Sequence, residues 1–386
     1  MHKCNLNYLL IFLIIFFASL DGLFRFRALF SLLVLFIFIL VGIKGKFKID
    51  FSSKHLVYFI FLSLIFLTYT ALSFLYPDIY LQIPADNEKF IFKIFDRFSL
   101  IILFFLIPFV FLDKKYIYVF KSVAYVHVFI FLFQFFMYYF LSIKLDITGY
   151  FGESQRTSLG VNGVNFFRAS GLYVEPSNYT AYLSTLLFPY YYFARKFNYN
   201  DLIPPITMLA TFSTVGFLSG FLILLGIFVK NKLYTKWYGA ISSVLLSFVL
   251  FIILSIHYLR LTSDSNVASN IRYDLLRYVY ESRSEDLILA LFGTGIYSYD
   301  KYIYSREVSS FGRDIASIQD LGLFVYCFIT MGFLGFILLS CLFFKTKRFS
   351  NKLFLLSVLF SKMTYLFPIF IFLVVYIIYS KPEEFK

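Results

Sequence analysis

Apolar runs close to the length of a membrane crossing recur along the whole chain, parted by short polar or charged breaks. A helix needs about 20 mostly apolar residues to span a bilayer. Single crossings fit residues 8–20, 28–43, 55–75, 98–112, 116–141, 177–194, 238–259 and 320–344. Residues 202–229 and 353–380 are too long for one crossing each, since such a helix would measure roughly 42 Å against a hydrocarbon core of about 30 Å. A single pass through the first would also place either Arg195-Lys196 or Lys230 and Lys232 on the outer side. Both runs are therefore read as hairpins. The first turns near Thr211–Gly216, with Gly216 supplying flexibility and the hydroxyls serving freed backbone groups. The second is interrupted by Lys362 and Pro368. The pattern predicts an all-α polytopic integral membrane protein, one transmembrane domain over residues 1–386, with about 12 transmembrane helices. The runs are continuous, which excludes a barrel of alternating strands.

Charge fixes the expected orientation. The basic loop from Lys44 to Lys54, and Asp113-Lys114-Lys115 after the fourth run, belong inside by the positive-inside rule. Lys121, near the inner end of the fifth run, can snorkel to the interface. The first run, short and preceded by Lys3, is read as an uncleaved anchor. Both termini are then cytoplasmic. A mixed-charge loop at 76–97 and two long loops, 142–176 and 260–318, lie on the outer side. The inner segments are rich in lysine. The outer ones carry Arg25, Arg27, Arg97, Arg156, Arg168, Arg260, Arg272, Arg277, Arg283, Arg306 and Arg313. Lysine inside suits topology, whereas arginine outside suits bidentate capture of phosphate or carboxylate. The bland alternative is that these arginines pair with outer acids and hold the loops folded.

Composition agrees with this map. The chain is 60% hydrophobic and 15% charged, below the roughly 25% charged residues of soluble domains. The net charge of +13 does not indicate nucleic acid, because the lysines fall in short loops between crossings. Phe and Tyr, 56 and 32 in number, are read as lipid-facing packing and interface anchors. The three cysteines, Cys4, Cys327 and Cys341, have no metal-ligand spacing, and the chain carries no P-loop, zinc-protease or nucleophile-elbow motif. An ATP-driven machine or a metal hydrolase therefore has no support. His2, His55, His127 and His257 are read as packed or interfacial residues.

One stretch stands apart: Arg168-Ala-Ser-Gly-Leu-Tyr-Val-Glu-Pro-Ser177, at the end of the first long outer loop and before an apolar run. Glu175-Pro176-Ser177 reads as a helix start, with Pro at the first helical position. Glu is not a usual cap, so its presence there asks for another reason. This R-x-S-G-x-x-x-E-P-S pattern, followed by an aromatic-rich helix, resembles the Wzy-type O-antigen polymerases, of the superfamily that also holds the O-antigen ligases. The motif carries the resemblance, and the membrane layout and loop sizes extend it coarsely over most of the chain.

The resemblance implies a metal-independent glycosyltransferase of GT-C-like architecture, with no cofactor, in a bacterial inner membrane and with its reaction face periplasmic. Such an enzyme moves a growing glycan from undecaprenyl diphosphate to the non-reducing end of a new undecaprenyl-diphosphate-linked repeat unit. It implies as partners the lipid-linked oligosaccharide, membrane lipid, a chain-length regulator and a flippase, with no nucleic acid. Arg168 is then expected to stabilise the departing diphosphate and Glu175 to act as base or orienting acceptor for the sugar hydroxyl, its pKa raised by desolvation. Asp320 is an alternative carboxylate, or simply a good first-turn helix residue. Ser177, Arg260, Arg272, Arg277 and Arg313 are candidates for binding the diphosphate or glycan. Ser269-Asn270 can cap a helix to about Arg283, on which Arg272 sits beside the apolar face and Arg277 away from it. Phe292-Gly-Thr-Gly-Ile296 is expected to form a tight turn. Asp320, Gly322, Met331-Gly332 and Gly335 are similar to a superfamily segment that ends in a G-x-x-G helix.

Other readings remain open on the sequence. An Arg168–Glu175 pair could merely shape the loop. The same chemistry serves an O-antigen ligase to lipid A core, but ligases typically carry a His ahead of the segment that begins here at Asp320, and the stretch from Arg313 to Asp320 contains none. A lipid-linked oligosaccharide flippase or other transporter would place acids at span centres, where this chain has almost none.

Overall fold

The computed structural model describes residues 6–20, 32, 35–36, 53–75, 87–111, 114–151, 154–161, 164–235, 247–248, 251, 255, 280, 287–297 and 321–379. Helices dominate them. In chain order these are α1 (Leu6–Ala18), α2 (Ser53–Leu75), α3 (Asn87–Phe111), α4 (Lys114–Leu141), α5 (Pro176–Phe193), α6 (Ile203–Leu209), α7 (Thr214–Lys230), α8 (Leu287–Phe292), α9 (Leu323–Lys345), α10 (Phe349–Leu359) and α11 (Pro368–Tyr379). The all-α expectation needs one correction. Between α4 and α5 lies an antiparallel ribbon of β1 (Ser158–Val161) and β2 (Val164–Phe167), with Ser158 opposite Phe167. Its β-branched and aromatic residues suit extended backbone, a signal too short to stand out in so apolar a sequence.

Among the described residues, three helices are long and apolar enough to cross a bilayer: Ser53–Leu75, Tyr116–Leu141 and Leu323–Lys345. This marks a helical membrane protein. It does not reproduce twelve full crossings. α1 has 13 residues, α6 has 7, α10 has 11 and α11 has 12, and an 11-residue helix is only about 16 Å long. The expected crossings at 28–43 and 238–259 lie, but for a few positions, outside the described residues. The loop placed at 76–97 is partly helix, because α3 starts at Asn87.

α5 is the centre of the molecule. Every residue in it except Asn178 is buried, as expected of a helix surrounded by other helices rather than by lipid or water. By contrast α2 exposes Leu56, Val57, Ile60, Phe61, Leu64 and Leu67, an apolar face suited to hydrocarbon. The tyrosines of α5 are not interface anchors. Tyr179, Tyr182 and Tyr191 are fully enclosed. The Tyr179 hydroxyl lies 2.7 Å from Thr207 Oγ1, and Tyr191 donates to the Asp201 carbonyl at 2.9 Å. A buried phenol keeps its hydroxyl satisfied in this way.

Both long runs are hairpins, as expected. Asn351 at the start of α10 donates to the Tyr192 carbonyl at one end of α5, and Lys362, past the other end of α10, reaches Glu175 at the opposite end. α11 then returns, with Phe367 beside Tyr182 and Tyr376 beside Phe193. α7 lies antiparallel to α10: Ser219 bonds to Ser357, while Lys230 bonds to Asn351. The turn before α7 differs in detail from expectation. The left-handed residue is Phe212, with φ 49°, not Gly216. Gly216 is there for space, since a Cβ would collide with the Thr211 hydroxyl and the Met208 carbonyl. The hydroxyls do serve the backbone, with Ser213 capping Gly216 N–H at 2.9 Å.

The far end of α5 is closed by cations. Lys230 donates to the carbonyls of Tyr191 and Tyr192 and to Asn351 Oδ1. A positive charge on the last carbonyls suits the negative end of the helix dipole. Lys121 does not snorkel. Its Nζ pairs with buried Asp201 at 2.6 Å and donates to Tyr190 at 3.0 Å, pinning the 199–202 turn to α4 and α5.

Candidate active site

The opposite end of α5 carries the motif. Glu175 is the N-cap residue, extended at φ −128°, ψ 148°, and its carbonyl accepts from Asn178 N–H and Tyr179 N–H. Its side chain makes no cap hydrogen bond. The carboxylate instead bridges two cations. Oε1 accepts from Arg156 Nη1 at 3.1 Å and Oε2 from Lys362 Nζ at 2.7 Å, with the Ser177 hydroxyl also donating to Oε2 at 3.2 Å. That is why a glutamate stands where a smaller cap residue would be usual. A carboxylate at a helix N-terminus also gains from the dipole.

The two cations differ in setting. The Arg156 side chain is 69% exposed and that of Lys362 only 8%. An exposed pair contributes about 0–1 kcal/mol, so Lys362 is the stronger influence on Glu175. Lys362 sits in the non-helical segment between α10 and α11, a break that Pro368 confirms by starting the next helix. In the sequence Lys362 is only an interruption of an apolar run and Arg156 only one of many outer arginines. Their common partner, Glu175, could not be seen from spacing.

Arg168 is placed differently from the expected pair. Its backbone N–H donates to the Thr157 carbonyl at 2.7 Å and its Nη2 to the Ser158 carbonyl at 3.3 Å, so it closes the base of the ribbon. Ser177 does join the site through Glu175. Arg260, Arg272, Arg277, Arg313 and Asp320 lie outside the described residues.

Burial alone would push the Glu175 carboxyl upward, as the sequence led us to expect. The charge and hydrogen bond of Lys362, with Arg156 and the Ser177 hydroxyl, outweigh it and hold the group below its ordinary value of 4.5. The linkage sign follows. A depressed folded pKa contributes stability that is fully present above the ordinary value and is lost as pH falls through the folded one. The difference in unfolding stability between wild type and Glu175→Gln should therefore be flat from neutrality down to that ordinary value and shrink below it. Thermal unfolding in a membrane mimetic across this range measures it, and a difference that grows on acidification contradicts the ion-pair assignment.

Two glutamines hold the motif in place, and neither was anticipated. Gln134, on α4, accepts from the N–H groups of Ser170 and Gly171 at 2.8 and 2.9 Å, and donates to the Leu145 carbonyl at 2.9 Å and to Gln155 Oε1 at 2.6 Å. Gln155 donates to the carbonyls of Gly171 and Tyr173 at 2.7 and 3.0 Å, and its Oε1 also accepts from Ile147 N–H at 3.3 Å. Each side-chain amide thus uses its full capacity of two donors and two acceptor sites. Gly171, at φ 61°, makes the turn that presents these backbone groups. Beneath it, His127 is a packed residue as expected, its Nε2 2.8 Å from Ser19 Oγ and its ring stacked on Tyr173.

The Gly-Thr-Gly stretch does form a tight turn, with Gly293 and Gly295 both at positive φ. It docks on α9 where that helix breaks at Gly332, φ 60°. Thr294 N–H and Gly295 N–H donate to the carbonyls of Ile329 and Thr330 at 2.9 and 2.8 Å, and the Tyr69 hydroxyl donates to those of Phe292 and Met331. The carbonyls around the break are thereby satisfied inside the protein, which a membrane setting requires. Tyr365, three residues after Lys362, reaches Thr330 at 2.9 Å and so links this junction to the Glu175 site.

Among the described residues no group of His, Cys, Asp or Glu could hold a metal ion. No protein-family model matches the chain, and no curated protein or solved structure does.

Proposed function

We propose that the chain is an O-antigen-type polymerase of the inner membrane, joining lipid-linked glycan units at its periplasmic face. The observation that carries this reading is the meeting of Glu175, from the R-x-S-G-x-x-x-E-P-S motif, with Arg156 and Lys362 from two other segments. Cations and a carboxylate at the end of a buried helix are the groups a diphosphate-leaving glycosyl transfer requires. In that step the acceptor sugar hydroxyl oxygen attacks the anomeric carbon of the growing chain. The bond from that carbon to the diphosphate oxygen breaks, and its electron pair leaves with undecaprenyl diphosphate. The hydroxyl proton passes to a carboxylate, for which Glu175 is placed, and Lys362, Arg156 and Arg168 balance the charge gathering on the leaving group. The GT-C-like arrangement, the cytoplasmic termini and the contributions of Arg260, Arg272, Arg277, Arg313 and Asp320 belong to the same proposal.

Deletion of the gene, followed by a gel of surface glycan, tests it. A single repeat unit on the core is the expected product, and complementation by Arg168→Ala or Glu175→Ala should not restore the ladder although both proteins insert. A full ladder retained on the carrier lipid would instead make the chain a ligase, and unaltered glycan would remove it from this chemistry.

A further inference from the structure

We infer that Glu175 occupies an anion site built by Lys362 and Arg156, and that a diphosphate ester displaces its carboxylate from both cations when it binds. The inference rests on the proposed function for the identity of the ligand, but the site itself rests on geometry. Each carboxylate oxygen takes one cation, Oε1 from Arg156 and Oε2 from Lys362. The two cations come from different segments, one at the ribbon and one in the α10–α11 break, and among these three side chains one net positive charge remains. Lys362 is nearly enclosed whereas Arg156 is open, so an anion can enter from the Arg156 side and reach Lys362 behind it. A phosphoryl group carries more charge and more acceptor oxygens than a carboxylate, so it competes well for the same donors.

The cap of α5 does not depend on the carboxylate staying put. The helix is begun by the Glu175 carbonyl and by Pro176, and the side chain makes no cap bond. A displaced Glu175 loses the charges that keep it acidic. It then becomes a better acceptor for the sugar hydroxyl proton, so donor binding switches on the base. Donor first, acceptor second is the resulting order.

The test is calorimetric titration of inorganic pyrophosphate into the full chain in neutral phosphatidylcholine vesicles, repeated with undecaprenyl diphosphate incorporated in the vesicles. Glu175→Gln should bind pyrophosphate roughly tenfold more tightly than wild type, and Lys362→Met correspondingly more weakly. If Glu175→Gln does not accumulate, Glu175→Asp, too short to bridge both cations, should shift in the same direction by less. Tighter binding of the lipid form than of pyrophosphate assigns the site to a lipid carrier, and equal binding assigns it to a free anion. Unchanged or weaker binding in the Glu175 variants, or none in any protein, overturns the inference. Tightened pyrophosphate binding in a strain whose glycan is normal after gene deletion would keep the anion site and remove the polymerase.

Discussion

Lys362→Met is expected to remove both chain extension and a large part of the protein's stability. Truncating one member of a mostly buried ion pair leaves the other charge uncompensated, at a cost of about 3–5 kcal/mol. Glu175 would keep only Arg156, whose side chain is 69% exposed. The double variant Lys362→Met with Glu175→Gln separates structure from chemistry. It leaves no stranded charge, so unfolding stability should return to near the wild-type value, while the glycan ladder should remain absent. Arg156→Ala should cost about 0–1 kcal/mol, as an exposed pair does. Stability comes from denaturant unfolding in a membrane mimetic and function from the glycan gel. A double variant that is stable and makes a full ladder would reduce the cluster to a structural clasp.

What could be read in advance was whatever the bilayer imposes along the chain. The hairpins at 202–229 and 353–380 followed from length against membrane thickness and from the side on which the lysines fall. The start of α5 followed from Pro176, and the oddity of Glu175 as a cap was visible before its cause. The partners were hidden because they depend on packing between distant segments. Glu175 and Lys362 are 187 positions apart, and no local period links them. The charge-side rule treated Lys230 and Lys121 as topology markers, yet one closes the carbonyl end of α5 and the other pairs with Asp201. The crossing count failed for a related reason. Hydropathy counts apolar residues, but α6, α10 and α11 are short helices that satisfy their ends against neighbours. Gln134 did leave a trace, as a lone amide amid Phe131-Leu-Phe and Phe135-Phe136. An amide in such a run is costly unless it is bonded, so it points to a partner without naming it.

That amide supplies the second large effect. In Gln134→Leu, the N–H groups of Ser170 and Gly171 lose their acceptor, and Gln155 Oε1 loses its shortest donor. Each stranded buried group costs about 1–3 kcal/mol, so the loss should amount to several kcal/mol. It should be local in origin, because α4 keeps its other contacts with α5 and the protein still inserts. Amide hydrogen exchange at Ser170 and Gly171 should rise well ahead of exchange in α5, and chain extension should fall with it as Glu175 loses its fixed approach to Arg156. Gln155→Leu should act in the same way through Gly171 and Tyr173. Because the two amides serve one network, the double variant should cost clearly less than the two single losses added together. Full additivity, or unchanged protection at Ser170 and Gly171, would mean that the motif is held by something other than this pair of glutamines.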